Sequence, residues 1–298
     1  MLEKVGFKNF LALRNVELTL EPFTVIVGPN ASGKSSILEG IRRITGSVRD
    51  GWQVFLHGNS AENANVKDFQ KISFRGSSIQ EIEFSFCVLI SDTEFNNSLK
   101  LSIENNFIRP DWKLHPAHPI FTSKMIIFSK NESARPSYSE NLNPYLENTG
   151  SGLATVCSFI QSLKPEKFSW IQEKMRQIIS NFQRFRIEPA KVEAKDWFNI
   201  SNENKYIEDI ISRRTGTGHQ LIFDFENATN VSVEYVSEGT LFALTVLVAV
   251  ASSEGDTIIL IDDLERGLHP KAVRDLMKAL RDIQAIRSEE HTSELSHG

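Results

Sequence analysis

The chain is poor in cysteine: of its 298 residues only Cys87 and Cys157 carry thiols, each inside an apolar segment (Phe86-Cys87-Val88-Leu89 and Val156-Cys157-Ser158-Phe159). That excludes a disulfide scaffold and fits buried free thiols in a reducing cytosol. Long hydrophobic runs are lacking as well. The longest, Leu241 to Ala251, falls short of the roughly 20 residues a membrane-spanning helix needs, and no signal-peptide apolar region follows Met1-Leu2-Glu3-Lys4. A cytoplasmic protein is expected. Basic charge is not in excess either, with 33 Lys and Arg against 38 Asp and Glu and a formal net charge of −5, which argues against a surface built throughout to hold nucleic acid. The local basic groups, Arg42-Arg43, Arg184 with Arg186, and Arg213-Arg214, are of the size that usually forms solvated faces. No internal repeat or sustained heptad is present, which excludes a long coiled coil. The seven histidines are scattered, and His115-Pro116-Ala117-His118 lies in a Pro-rich loop without a nearby Cys or paired carboxylate, so no metal cluster is expected there.

What the chain does have is Thr24-Val25-Ile26-Val27-Gly28-Pro29-Asn30-Ala31-Ser32-Gly33-Lys34-Ser35-Ser36. It reads as a buried strand, a phosphate-binding loop and a helix start in succession. Gly28 to Ser35 match G-x-x-x-x-G-K-[ST], in which the glycines permit turns that let successive backbone N–H groups close on phosphate oxygens. Lys34 is placed to reach the β- and γ-phosphates and the Ser35 hydroxyl to join a Mg²⁺ shell, while the helix start adds its positive end. Ile37, Leu38, Ile41 and Ile44 follow at helical spacing, with Thr45-Gly46 as a stop signal.

Around this loop the alternating segments Val5 to Phe10 and Val16 to Leu20 predict two half-buried strands, and those between Lys71 and Ile108, among them Glu81 to Phe86 and Leu99 to Ile103, an antiparallel sheet. Met125 to Phe128 reads as a strand followed by a polar loop, Ser129 to Asn143. Leu153 to Ile160 and Phe168 to Ile179 carry helical periodicity, broken at Pro165 into two helices. Lys205 to Ser212 and Gln220 to Phe225 read as strands around Thr215-Gly216-Thr217-Gly218, a hairpin turn by composition. Lys271 to Ile286 is an amphipathic helix.

Two later stretches complete the picture. Thr257-Ile258-Ile259-Leu260-Ile261-Asp262-Asp263 is a buried-strand pattern ending in two carboxylates, the first suited to hold Mg²⁺ and the second to orient attacking water. Val236-Ser237-Glu238-Gly239-Thr240 opens an apolar helix, where a hydroxyl and free N–H groups make an anion site. Standing alone, Ser-Glu-Gly-Thr is only an N-cap, and the acidic strand end only a solvated turn.

The order Lys8-Asn9-Phe10, Gly28 to Ser36, Ser237-Glu238-Gly239-Thr240, and Ile259-Leu260-Ile261-Asp262-Asp263-Leu264-Glu265-Arg266-Gly267-Leu268-His269-Pro270 resembles the AAA family ATPases of the ABC/SMC/RecF class, the stand-alone prokaryotic AAA_21 type. The resemblance runs from about Met1 to Ile286, more loosely between the first helix and Ser237. It implies an α/β P-loop NTPase of the ABC-ATPase-head type in one domain, 1–286. Such a head has a mixed central sheet with helices, an antiparallel β layer and a small helical lobe over about 145–190. It implies ATP and Mg²⁺ as ligands, the triphosphate held by Gly28, Pro29, Asn30, Ala31, Ser32, Gly33, Lys34, Ser35 and Ser36, and the metal by Ser35 and Asp262. It also implies a homodimer closed on ATP, in which Ser237 and Gly239 of one copy face the phosphate loop of the other.

Two departures from the class stand out. The acidic pair is Asp262-Asp263 rather than Asp-Glu, so Asp263, as the water-orienting base, must approach more closely, and slow hydrolysis is expected. Glu265 is the second candidate for that role. After Ile286, the first nine residues of Arg287 to Gly298 look like the conceptual translation of a sequencing-adapter oligonucleotide. This segment is expected to be an artefactual tail, loose or a polar helix extension, on a head lacking its last strand and switch histidine. Three functions follow. The first is an ATP-hydrolysing switch that controls a partner or an absent effector region. The second is a RecF-like DNA repair ATPase, weakened by the acidic balance. The third is a nucleotide-gated scaffold with little hydrolysis and a nuclease or toxin partner in defence against phage.

Overall fold

The computed structural model describes all residues except 58–64, 75–79, 91–92, 116–121, 139–143, 198–210, 254–256 and 296–298. The chain divides into two compact units, one of Met1–Met125, Glu254–Asp262 and Arg281–Gly298, the other of Ile126–Ser253 and Asp263–Leu280.

The first unit is built on an antiparallel five-stranded sheet in the order β2-β1-β3-β4-β5, from β1 (Leu2–Phe10), β2 (Leu13–Thr19), β3 (Glu81–Ile90), β4 (Thr93–Glu104) and β5 (Phe107–Lys113). The period-two patterns expected from sequence set its faces. Val5 lies opposite Phe86 and Phe7 opposite Phe84, all buried, while Lys8 points the other way and pairs with Glu83. The rings of Phe7, Phe10 and Phe84 meet at centroid distances of 5.2 to 6.0 Å. Helix α1 (Lys34–Asp50) lays Ile37, Ile41 and Ile44 onto this core, and Gly40 brings its backbone against the Phe7 ring, where a Cβ would collide. The expected stop at Thr45-Gly46 is not used: α1 continues to Asp50 and ends before Gly51, at φ 96°. A glycine inside a helix costs only about 1 kcal/mol, and burial of Ile44 and Ser47 outweighs it. Two short helices not foreseen follow, α2 (Trp52–His57) and α3 (Val66–Ile72), the latter started by a capping box between Asn65 and Asp68.

The apolar run Thr24 to Val27 was expected as a buried strand. It is not one: among the described residues it joins no ladder, and Val25 and Val27 are 45% and 85% exposed. The acidic strand β11 (Thr257–Ile261) does form, but it pairs only with β6 (Thr122–Ile126) among the described residues and buries only Leu260. A β-branched run becomes a central strand only when neighbours satisfy both of its edges, and that pairing is non-local.

In the second unit, α4 (Lys130–Ala134) and β7 (Ser137–Tyr138) lie within the segment read as a loop from Ser129 to Asn143. Helices α5 (Leu153–Leu163) and α6 (Pro165–Ile178) form the expected pair, with Pro165 at the first position of α6, where its missing N–H costs nothing. Strands β8 (Phe182–Trp197) and β9 (Ile211–Phe225) pair along their length, and β10 (Ala228–Ser232) and β7 flank β9. Thr215 to Gly218, read as a hairpin turn, lies inside β9 opposite Glu193 to Ala190. Gly218 is there for space, since a Cβ would overlap the Val192 side chain and the Ser137 carbonyl. The predicted strand Lys205 to Ser212 lies outside the described residues except for Ile211 and Ser212, which open β9. Helix α7 (Glu238–Ser252) is apolar on every side and buried from Gly239 to Ala251, the signature of a central core helix. Helix α8 (Pro270–Leu295) buries Leu276, Ala279 and Leu280 and runs on past Ile286 through most of the expected tail.

Candidate nucleotide site

The phosphate loop begins where the chain leaves Val27 and ends where α1 starts. Gly33 is the residue before the helix, with φ 98°, and a Cβ on it would stand 2.8 Å from Leu13 Cδ2. Only glycine takes that conformation without cost. Ala31 also has positive φ, 63°, a strain of about 1 kcal/mol or more for a residue with a side chain. Gly33 supplies no side-chain cap to α1, so the helix presents its first-turn N–H groups to the loop rather than to a capping oxygen, which is the arrangement of an anion site. Lys34 curls back over the loop and donates to the carbonyls of Gly28 and Pro29, each at 2.9 Å. Ser35 is exposed at the same helix start.

These features suit a triphosphate: Gly28 to Ser36 would form the cradle, Lys34 would bring a positive charge, and Ser35 and Asp262, both of the first unit, are oxygen donors that could hold Mg²⁺. Asp262 follows β11 directly. Asp263 comes next, at φ 52°, a left-handed conformation that Asp tolerates better than most residues. Its carbonyl accepts from Arg266 N at 2.9 Å, so Asp263 to Gly267 form a tight turn in the second unit, with Asp263 and Glu265 exposed.

The second unit brings Ser237 and Gly239 against that same turn. Ser237 Oγ caps α7, accepting from Thr240 N at 3.1 Å and sharing a proton with Thr240 Oγ1 at 2.7 Å. Gly239 packs backbone to backbone on Gly267, and Glu238 pairs with Arg266 at 2.7 Å. Beside them opens a cavity of about 480 Å³ lined by Ser237, Gly239, Thr240, Gly267, Leu268 and His269, among others.

Two of the three basic groups are ion-paired. Arg42 and Arg43 both close on Glu39. Burial pushes the Glu39 carboxyl up, but the two guanidiniums outweigh it and hold it below its ordinary range. Arg184 and Arg186 both reach Asp224, which also accepts from Asn230 N at 2.9 Å. The side chains of Arg213 and Arg214 lie outside the described residues. No helix among the described residues is long and apolar enough to cross a membrane.

Family models match both parts of the chain: "AAA ATPase domain" over residues 1–113 and "AAA domain, putative AbiEii toxin, Type IV TA system" over residues 155–291. Both models are of AAA ATPase domains and together they match most of the chain, which is an AAA-family ATPase. Among curated proteins, this AAA ATPase is 46% identical over 48 residues to the OLD nuclease of Thermus scotoductus, covering 16% of this chain and 9% of that protein. It is 23% identical to the chromosome partition protein Smc of Myxococcus xanthus, over 99% of this chain and 25% of that protein. The chain therefore spans a quarter or less of the length of these relatives. Among solved structures, it is similar to the recombination mediator protein RecF (13% identity, 93% and 90% of the two chains, TM-score 0.44). It is also similar to the SMC head domain from Thermotoga maritima (13% identity, 93% and 85%, TM-score 0.42).

Three residues of the AAA ATPase escaped the sequence reading. Gly267, Arg266 and Thr240 complete the contact around Ser237 and Gly239. All three stand in stretches singled out from the sequence, Ser237 to Thr240 and Ile259 to Pro270, but the contact that joins those stretches is not readable from either.

Proposed function

We propose that this AAA ATPase is a nucleotide-driven switch, binding ATP with Mg²⁺ at Gly28 to Ser36 and pairing with a second copy through that site. The observation that carries this is the glycine-started, side-chain-uncapped helix α1 behind a strained loop whose lysine rests on the loop's own carbonyls. Lys34 is the group that would exchange those carbonyls for phosphate oxygens. Ser35 and Asp262 would hold the metal, which neutralises charge between the β- and γ-phosphates when bound. Asp263 would orient the attacking water, with Glu265 as the other carboxylate of the turn. Ser237 and Gly239 would meet the nucleotide of the opposite copy. The output would be delivered to a partner or to a further region of a longer protein, for which a nuclease or toxin effector is the chemistry that such a gate suits.

Mass measurement in solution with and without Mg²⁺-ATP tests the switch, using the slow-hydrolysis variant Asp263→Asn to hold the bound state. Nucleotide binding without any ATP-dependent doubling of mass would remove the dimer from the proposal.

One observation favours a second reading, a nucleotide-gated scaffold that hydrolyses little: Asp263 is both shorter than the usual Glu and exposed on a turn. Steady-state turnover separates the two. A DNA-binding role draws less support, because Arg42, Arg43, Arg184 and Arg186 are committed to Glu39 and Asp224.

A further inference from the structure

The outer face of the first unit's sheet carries a group of side chains that nucleotide binding does not use. Strand β1 runs in register with β3 except at one point: Leu2 pairs with Val88 and Lys4 with Cys87, so Glu3 is an extra residue, a β-bulge. Bulges re-aim a side chain, and here the carboxylate of Glu3 joins the face that holds Cys87. From the third strand, β4, Glu94 reaches the same place. One carboxylate oxygen each of Glu3 and Glu94 and the Cys87 sulfur all lie within 4.8 Å of one another.

The cluster is not satisfied by its own contacts. Glu3 Oε2 is buried and has no hydrogen-bond partner. Cys87 is only 2% exposed, and its thiol makes one weak contact, to Glu94 Oε2 at 3.7 Å. Among the described residues the side-chain cation beside the group is Lys4, 3.7 Å from Glu94 Oε1, and the terminal amine of Met1 donates to the Leu89 carbonyl at 2.7 Å. Burial, with the charges of Glu94 and Glu3 behind it, pushes the Cys87 thiol up and keeps it protonated. A buried carboxylate oxygen without a donor costs free energy, and a cation is what would recover it.

We propose that Glu3, Cys87 and Glu94 form a binding site for a thiophilic divalent cation of the Zn²⁺ class, tying β1, β3 and β4 together at the end of the sheet. The ligand set is borderline in softness, one sulfur and two carboxylates, which suits Zn²⁺ or Co²⁺ and not Mg²⁺ or Ca²⁺. Donor atoms bound to one such ion stand closer together than 4.8 Å, and exposed Glu94 has the freedom to move inward. Binding forms the metal–sulfur bond as the Cys87 thiol releases its proton to solvent, so affinity rises with pH. No electron transfer is involved.

The test is titration of the nucleotide-free full chain with Co²⁺ alone, followed by the thiolate-to-cobalt absorption and then by displacement with Zn²⁺. One Co²⁺ per chain is expected, with absorption that survives Cys157→Ser and vanishes in Cys87→Ser. Glu94→Gln, on an exposed side chain whose loss leaves the fold intact, should weaken binding about tenfold or more, as should Glu3→Gln. Lys4→Ala should tighten it, by removing the competing ammonium. Absence of thiolate absorption in the unmodified chain, its persistence in Cys87→Ser, or unchanged affinity in both glutamate variants would each overturn the site.

Discussion

Gly239 and Gly267 meet backbone to backbone, so closely that a Cβ on Gly239 would overlap the Gly267 carbonyl oxygen and approach Leu268 Cδ2 to 3.0 Å. The start of α7 and the turn after the acidic strand end are thereby one packed object, tied again by Glu238 and Arg266. Alanine in place of a helical glycine would ordinarily stabilise by about 1 kcal/mol, whereas overlap with backbone costs about 1 to 3 kcal/mol. The overlap should win. Gly239→Ala is expected to lower the denaturant midpoint, while Gly6→Ala, whose new methyl meets only the rotatable Ser85 hydroxyl, should change it far less.

Lys34 makes its hydrogen bonds to carbonyls at an exposed loop, so it contributes little to folding. Lys34→Ala should shift stability by no more than about 0.5 kcal/mol and yet abolish binding of a fluorescent ATP analogue. Gly33→Ala should lose both, because its φ of 98° and the Leu13 side chain leave no room for a methyl group. A Lys34→Ala protein that still binds nucleotide with unchanged affinity would remove the phosphate loop from the site.

How much of this was visible in sequence depended on the range of the interaction concerned. The loop from Gly28 to Ser36, the break at Pro165 and the alternating strands of the first unit are local patterns, and they appear where the residues place them. Thr24 to Val27 has the composition of a buried strand and lies exposed, because its ladder requires neighbours far away in the chain. Gly216 and Gly218 look like a turn but lie inside β9, where Val192 of β8 and Ser137 of β7 leave no room for a side chain at Gly218. The pairing of Gly239 with Gly267 and the bulge at Glu3 depend on contacts across 28 and more than 80 residues, and no periodicity encodes either.

Asp263 and Glu265 can be told apart by variants that respect the backbone. Asp263 has φ 52°, so alanine there would add strain of about 1 kcal/mol to the loss of the carboxylate. Asparagine tolerates that conformation and removes only the charge. Asp263→Asn is expected to lower ATP turnover about a hundredfold or more, the scale of a lost general base, with nucleotide affinity retained. Glu265→Gln should leave turnover nearly unchanged. The opposite ranking would transfer the base to Glu265.

Asp224 gives the second unit a predictable acid limb. Its side chain is 4% exposed; the Asn230 N–H first, then Arg184 and Arg186, hold its carboxyl below the ordinary range. The folded state therefore prefers the carboxylate more strongly than the unfolded chain does. The stabilisation is complete above the unfolded value of about 3.9 and is lost as pH falls through the lower folded value. Asp224→Asn removes that dependence and leaves two guanidiniums facing a neutral amide. The variant should be less stable than the parent at pH 7, and the gap should narrow steadily below about pH 4. Urea unfolding at a series of pH values, followed by circular dichroism, measures the gap. A difference that stays constant down to pH 3 would mean that Asp224 contributes through packing rather than through its charge.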